Sequence, residues 1–464
     1  MKRLAFCLAA ALLVACNGNN GNVTPAPTPA PGGDDSGEEL KADPAGSQLS
    51  AWQEGILDIH FINTTTGECT FIIFPDGTHM LADAAGSITA TGPVGSTSNT
   101  GIRSRWDPTT DPSFRAGPFI ADYIKSCMAW TGNDKLDYVV NTHFHSDHFG
   151  GYSTSLPLSD LSNTYRKQSL PEILDLLPAG LLMDRGWPSY DYPFDVLTKA
   201  SNASTIKNYV TAVKWHVANR GLRAERFQAG SASQIVPVRN PSACTGFTVQ
   251  NIAVNGEIWN GRGSSSATAT FPAPGEIEVA NPKSVGNSDK CPEENHCTTV
   301  FKLSYGKFDF YHAGDAQYDG CSTFVWKDME TAAAKAAGAV DVMKADHHGV
   351  GNTNGFGFVA KNGHVCDAMN HLRPRCWIVN SWTDGHPRQA TFEGVNGLLP
   401  GTDIFITNTC SDMQSYKNFN VVKGQNGHIV VRVSKGGSKY YVYTLSDSDG
   451  LRKIKQVAGP YSSR

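Results

Sequence analysis

The densest chemistry in this 464-residue chain is the run Asn141-Thr142-His143-Phe144-His145-Ser146-Asp147-His148-Phe149-Gly150-Gly151. Neutral imidazole is the commonest zinc ligand, and three such rings beside a carboxylate within six residues are costly to assemble without a cation. His143 and His145 stand two apart, so an extended backbone puts both on one side. With 14 histidines in the chain, chance would produce this arrangement about once in a thousand or less. A turn of surface histidines is the poorer reading.

Strands alternating with helices must carry this cluster. Residues 58–62, 70–74 and 78–82 read as strands, with Pro75-Asp76-Gly77 as the turn between the last two. Residues 119–130 have helical spacing through Ile120, Tyr123, Ile124, Cys127 and Met128. The apolar run 136–140 is a short buried strand entering the histidines. A second segment resembles it: an Asp, an apolar run and a His six residues later occur at Asp137…His143 and again at Asp341…His347. A third strand, from Cys376, leads to the loop with His386. Polar residues at several strand ends suit a layered α/β fold. Residues 205–220 read as an amphipathic helix and 248–254 as a strand. Both fall in a long segment, 152–297, expected to elaborate the main fold rather than form a separate domain.

The cluster, followed by Gly-Gly, resembles the HxHxDH metal motif of the metallo-β-lactamase superfamily. Further segments resemble the branch represented by the hydrolase domain of the ComEC competence protein. They are the strand-turn-strand ending at Asp83, the hairpin 301–315 ending in Gly314-Asp315, the strand entering His347-His348-Gly349, and Gly385-His386-Pro387. The resemblance implies an αββα sandwich with a large insertion between the HxHxDH motif and the Gly-Asp strand. It further implies two divalent metal ions, zinc by type. His143 and His145 would hold the first, Asp147, His148 and His347 the second, and Asp315 would bridge them. A bridging carboxylate offsets repulsion between cations ~3.5–4 Å apart, and a hydroxide between them attacks phosphorus or carbon. Asp147, His348 and His386 are the catalytic candidates: Asp147 as ligand, His348 near the developing oxyanion, His386 against a substrate phosphate or carboxylate. His347 is preferred over His348 as ligand because the internal likeness sets it level with His143; the two roles are exchangeable. Asp83 would orient a ligand rather than bind metal. His296 is the candidate third histidine for the first metal. The branch's Asp-x-Gly-x-Gly-Asp is replaced by Asn63-Thr64-Thr65-Thr66-Gly67-Glu68, so its substrate contacts do not carry over. Trp187, Trp259, Trp382 and Arg185 are candidates for a cleft, with core packing the better reading of the aromatics.

Met1-Lys2-Arg3, an apolar run and Leu13-Val14-Ala15-Cys16 read as a lipoprotein signal over 1–15, making Cys16 the lipidated start of an exported, membrane-anchored protein. Residues 16–48 are a Pro- and Gly-rich tether, disordered by composition, before a hydrolase domain over 49–464. Asn17 after the cysteine points to the outer membrane or cell surface in a Gram-negative cell. In that setting disulfides are the default, with Cys291/Cys297 and Cys366/Cys376 near enough to close local loops. A net charge of −4 excludes a strongly basic nucleic-acid binder and speaks against a stable nucleic-acid partner. The resemblance implies hydrolysis of a phosphoester, preferably a phosphodiester, in a small-molecule or polymeric substrate. The alternatives are a lactonase or β-lactamase, and a non-catalytic surface binding protein stabilised by metal.

Overall fold

The computed structural model describes residues 40–86, 115–263, 267–277, 290–319, 322, 324–351, 353–360, 362–381, 386–447 and 450–464. The signal segment, the tether up to residue 39, and Cys7, Cys16, Cys321, Trp382 and Gly385 lie outside them. Two nine-stranded sheets organise the rest. From edge to edge, the first sheet runs Ile454–Ser462, Lys439–Leu445, His428–Val433, Leu57–Phe61, Thr70–Ile73, His79–Ala82, Leu136–Val140, Ala179–Asp184 and Arg223–Arg226. The second runs Gly424–Gln425, Asp403–Ile406, Cys376–Val379, Val342–Lys344, Phe308–His312, Val300–Tyr305, Phe247–Val254, Glu257–Trp259 and Ala267–Ala269.

Alternation along the strands divides side chains between cores. Leu57, Ile59, Phe61, Ile72 and Phe74 enter a core shared with Phe301, Leu303, Phe308 and Phe310 of the second sheet. Their neighbours Phe71, Ile73 and Leu81 face the other way, against Ile120, Ile124, Cys127 and Met128 of helix Ala116–Thr131. With apolar residues on both faces, residues 71–74 read as a continuous hydrophobic run, whereas strand Leu57–Phe61 turns Asp58 and His60 to its second face. A third core joins Met343, Trp377 and Ile404 of the second sheet to helices Met329–Ala337 and Gln389–Leu398. The helix Ala116–Thr131 stops at Gly132, whose φ of +66° lets the chain turn back through a bond to the Met128 carbonyl.

The expected strands are present within a residue or two, and the helix expected over 205–220 is observed as Ala203–Asn219. Strands of the segment 152–297 extend both sheets. Residues 40–48, read above as the end of the tether, lie against the sheet: Gly46 N donates to Ile454 O at 2.8 Å, and Asp43 accepts from Ser50 N at 3.0 Å.

The expected disulfides are absent among the described residues. Cys69, Cys127, Cys244, Cys291, Cys297, Cys366, Cys376 and Cys410 are all buried thiols. Cys376 sits in the core shared by the sheets, its sulfur 3.7 Å from Tyr440 Oη, while Cys366 ends a small hairpin. Packed among apolar groups, Cys376 behaves as a small hydrophobe.

Strand direction positions the polar residues. His79–Ala82 and Leu136–Val140 are parallel neighbours, so Asp83 and the His143–His148 run leave the same end of the first sheet. Phe308–His312, Val342–Lys344 and Cys376–Val379 are likewise parallel, bringing Asp315, the His347-His348 turn and the approach to His386 to one end of the second.

Candidate metal centre

Two sets of side chains converge where these loops meet. His143, His145 and Asp315 form one, with ligand atoms all within 4.8 Å of one another; Asp147, His148, Asp315 and His348 form the other by the same measure. Asp315 belongs to both. His143 Nε2 lies 3.7 Å from Asp315 Oδ2 and His148 Nε2 3.1 Å from Asp315 Oδ1. These four buried atoms face one another without hydrogen-bond geometry. Lone pairs and carboxylates left so in an interior are expensive unless a cation lies among them.

The outer nitrogens fix how the rings present themselves. His348 Nδ1 is 2.7 Å from the Asn380 carbonyl and must donate to it, so the Nε2 lone pair faces Asp147 Oδ2 at 3.3 Å and Asp315 Oδ1 at 3.6 Å. His148 Nδ1 is 2.7 Å from Asp83 Oδ2. Asp83 is held in turn by Thr142, whose N and Oγ1 each donate to it at 2.7 Å. It therefore has the orienting position expected of it. Burial opposes charge on His148, but the Asp315 and Asp83 carboxylates outweigh it and hold the imidazole above its ordinary range. Burial, then His148, pulls His143 well below that range.

Of the two adjacent histidines, His348 rather than His347 falls in the four-residue set. His347, with 21% of its side chain exposed, stands beside it, its Nε2 3.6 Å from Asp315 Oδ2 and its ring 3.3 Å from Asn295 Nδ2. The cause is local backbone: His347 and His348 have φ of +43° and +51°. A left-handed pair does not continue the alternation that set His347 level with His143.

Nor does His296 join either set. Its Nδ1 accepts from Glu293 N at 3.1 Å within the turn Glu294–Cys297, and its ring lies toward Trp326, with centroids 6.4 Å apart. His386 is buried, and its ring lies 6.2 Å from that of His348 without entering either set.

Several residues that support the centre gave little signal in the sequence. Lys344 is fully buried, 3.1 Å from Glu68 Oε2 and 3.8 Å from Asp315 Oδ1. Burial opposes ionisation of Glu68, but Lys344 and then His312 bring its carboxyl down to about 2. Glu68 thus anchors a cation beneath Asp315 from the loop that lacks the familiar glycine motif. Gly314 is needed for the approach: its φ is +49°, and a Cβ there would lie 2.2 Å from Thr298 Oγ1. On the other side, Glu294 Oε1 accepts from Phe144 N at 2.7 Å, and Arg185 grips the same carboxylate with Nε at 2.6 Å and a terminal nitrogen at 2.5 Å. Arg185 is thus a buried brace for the His143–His145 run rather than a cleft residue. Trp187 and Trp259 pack against cores.

Two candidate donor sets sharing one carboxylate are of the kind that suits divalent cations. Residues 131–218 match the model of the family described as the metallo-beta-lactamase superfamily, whose members are generally metal-binding hydrolases. The matched stretch contains the histidine cluster and runs beyond residue 152 into helix Ala203–Asn219. No curated protein matches the chain.

Proposed function

We propose that this chain is an exported, lipid-anchored hydrolase, held to the membrane through Cys16, that cleaves phosphoesters and preferentially phosphodiesters at a dinuclear zinc centre in an αββα fold. The observation that carries the reading is Asp315, shared between two sets of converging donors. His143, His145 and Asp315 would hold one ion, and Asp147, His148, His348 and Asp315 the other. Two such ions lower the pKa of water and stabilise charge developing on a phosphoryl oxygen. The chain's own residues set the geometry: Asp83 and the Asn380 carbonyl aim His148 and His348, and Lys344 offsets the carboxylate charge of Glu68 and Asp315. His347 and His386 stand beside the ligands, suited to contact substrate oxygens. The segments that follow Asp315, His348 and His386 line a cavity of about 580 Å³ through Tyr318, Thr353 with Asn354, and Ala390 with Thr391 in the first turn of helix Gln389–Leu398.

The phosphoester preference rests on the resemblance of the Gly-Asp hairpin, His-His-Gly and Gly-His-Pro segments to the ComEC-type branch. The full chain should bind two ions per centre and turn over bis-p-nitrophenyl phosphate, lose activity on chelation and regain it with zinc, while Asp315→Asn stays inactive. Turnover of nitrocefin or a lactone instead would move the reading to carbonyl chemistry. Bound metal with no turnover of any ester would make it a binding protein.

A further inference from the structure

A second cluster of metal-competent side chains lies apart from this centre. Asp328, His364 and Cys366 bring a carboxylate oxygen, an imidazole nitrogen and a thiol within 4.8 Å of one another. Three different elements supply them. Asp328 precedes helix Met329–Ala337 and caps it, Oδ1 accepting from Thr331 N at 2.8 Å; its other oxygen is 2.7 Å from His364 Nε2. His364 lies in the turn of the hairpin Phe358–Val359/Val365–Cys366, and Cys366 ends its second strand. Asp328 and Cys366 are buried, and His364 is 22% exposed. A cavity of about 330 Å³ opens on Asp328 and His364.

We propose that these three residues form a separate site for one borderline-soft divalent cation of the zinc type, with a fourth position open to the cavity. A tetrahedral ion with one oxygen, one nitrogen and one sulfur ligand sets its donors roughly 3.3–3.6 Å apart, a small adjustment from the present spacing. The mixed donor set favours zinc or cobalt over magnesium or calcium, which prefer oxygen. Nucleophilic use of Cys366 does not fit. Burial, and then Asp328, pushes its thiol up, so a thiolate forms there only when a cation replaces the proton. Bound there, the ion would fasten the hairpin to the helix. Phe358 of that hairpin stacks on Tyr318, ring centroids 5.6 Å apart, and both line the 580 Å³ cavity. From the same helix, Glu330 accepts from the backbone N–H of Asn354 and Gly355, on the wall of that cavity.

Cobalt tests this without reference to catalysis. The main centre contains only histidine and aspartate, so cobalt bound there gives no thiolate charge-transfer absorption, whereas cobalt on Cys366 does. The cobalt-loaded full chain should show that near-ultraviolet band and bind one ion more than its Cys366→Ser variant. The band should vanish in Cys366→Ser and in His364→Gln, and persist in Asp315→Asn, whose lesion lies in the other centre. His364 is partly exposed, so its variant keeps the comparison available if Cys366→Ser folds poorly. A wild-type chain without the band, or a band that survives Cys366→Ser, would overturn the proposal and leave the trio a hydrogen-bonded clasp.

Discussion

At the scale of single residues, orientation matters as much as ligand count. Asp83 stands in neither donor set, yet it sets the tautomer and direction of His148 while its own position is fixed by two bonds from Thr142. Replacing such an orienting carboxylate costs roughly 10–100-fold in metal affinity or activity. Asp83→Asn should therefore weaken metal binding by about that factor with little change in melting temperature, as read by metal titration beside thermal unfolding. An equal loss in Asp83→Asn and Asp315→Asn would make Asp83 a ligand instead. The sequence disclosed the HxHxDH run because its residue types are rare and closely spaced, and Asp315 only through the resemblance of its Gly-Asp hairpin to a known branch. It disclosed His348 only as one of a pair, since choosing between neighbours needs the backbone dihedrals. Lys344 and Glu68 stayed hidden because their meaning lies in a contact between residues 276 positions apart.

At the scale of elements, the histidine run is held less by its own strand than by the segment that follows it. Arg185 leaves strand Ala179–Asp184, Glu294 opens the turn Glu294–Cys297, and together they clamp the Phe144 amide; Asn202 holds the Phe144 carbonyl at 2.6 Å. Removing one member of a buried ion pair strands the other's charge. Glu294→Ala should cost about 3 kcal/mol of stability and loosen metal binding by His143 and His145 together, measured by denaturant unfolding and metal titration. A variant that unfolds like the parent would show the clamp to be dispensable. Strand positions were legible from apolar runs and turn residues, since residues 136–140 are buried on both faces. The clamp was not, because periodicity reports which face is buried and not which loop crosses above it.

At the scale of the whole molecule, buried neutral histidines make the fold acid-sensitive. Burial lowers His60 to about 4 despite the nearby Asp58 carboxylate, and lowers His79 to about 4 as well. Both values are depressed from the ordinary 6.5, so the unfolded chain binds protons that the folded chain refuses. The stability they contribute is complete above pH 6.5 and is lost as the pH falls toward 4. For fully buried His60 the loss across that window is roughly 3 kcal/mol. Denaturant midpoints should fall over this range, and His60→Gln should flatten the slope; an unchanged slope would place the acid sensitivity elsewhere.

The short N-terminal strap has a mechanical corollary. Gly46 donates to the Ile454 carbonyl, Ile454 N returns a bond to Ser47 O at 2.8 Å, and Asp43 lies 3.6 Å from Arg432, which also grips Asp58 through two nitrogens at 2.8 and 2.6 Å. A pull applied at residue 40 would load these contacts with strand Ile454–Ser462 and the Arg432–Asp58 pair.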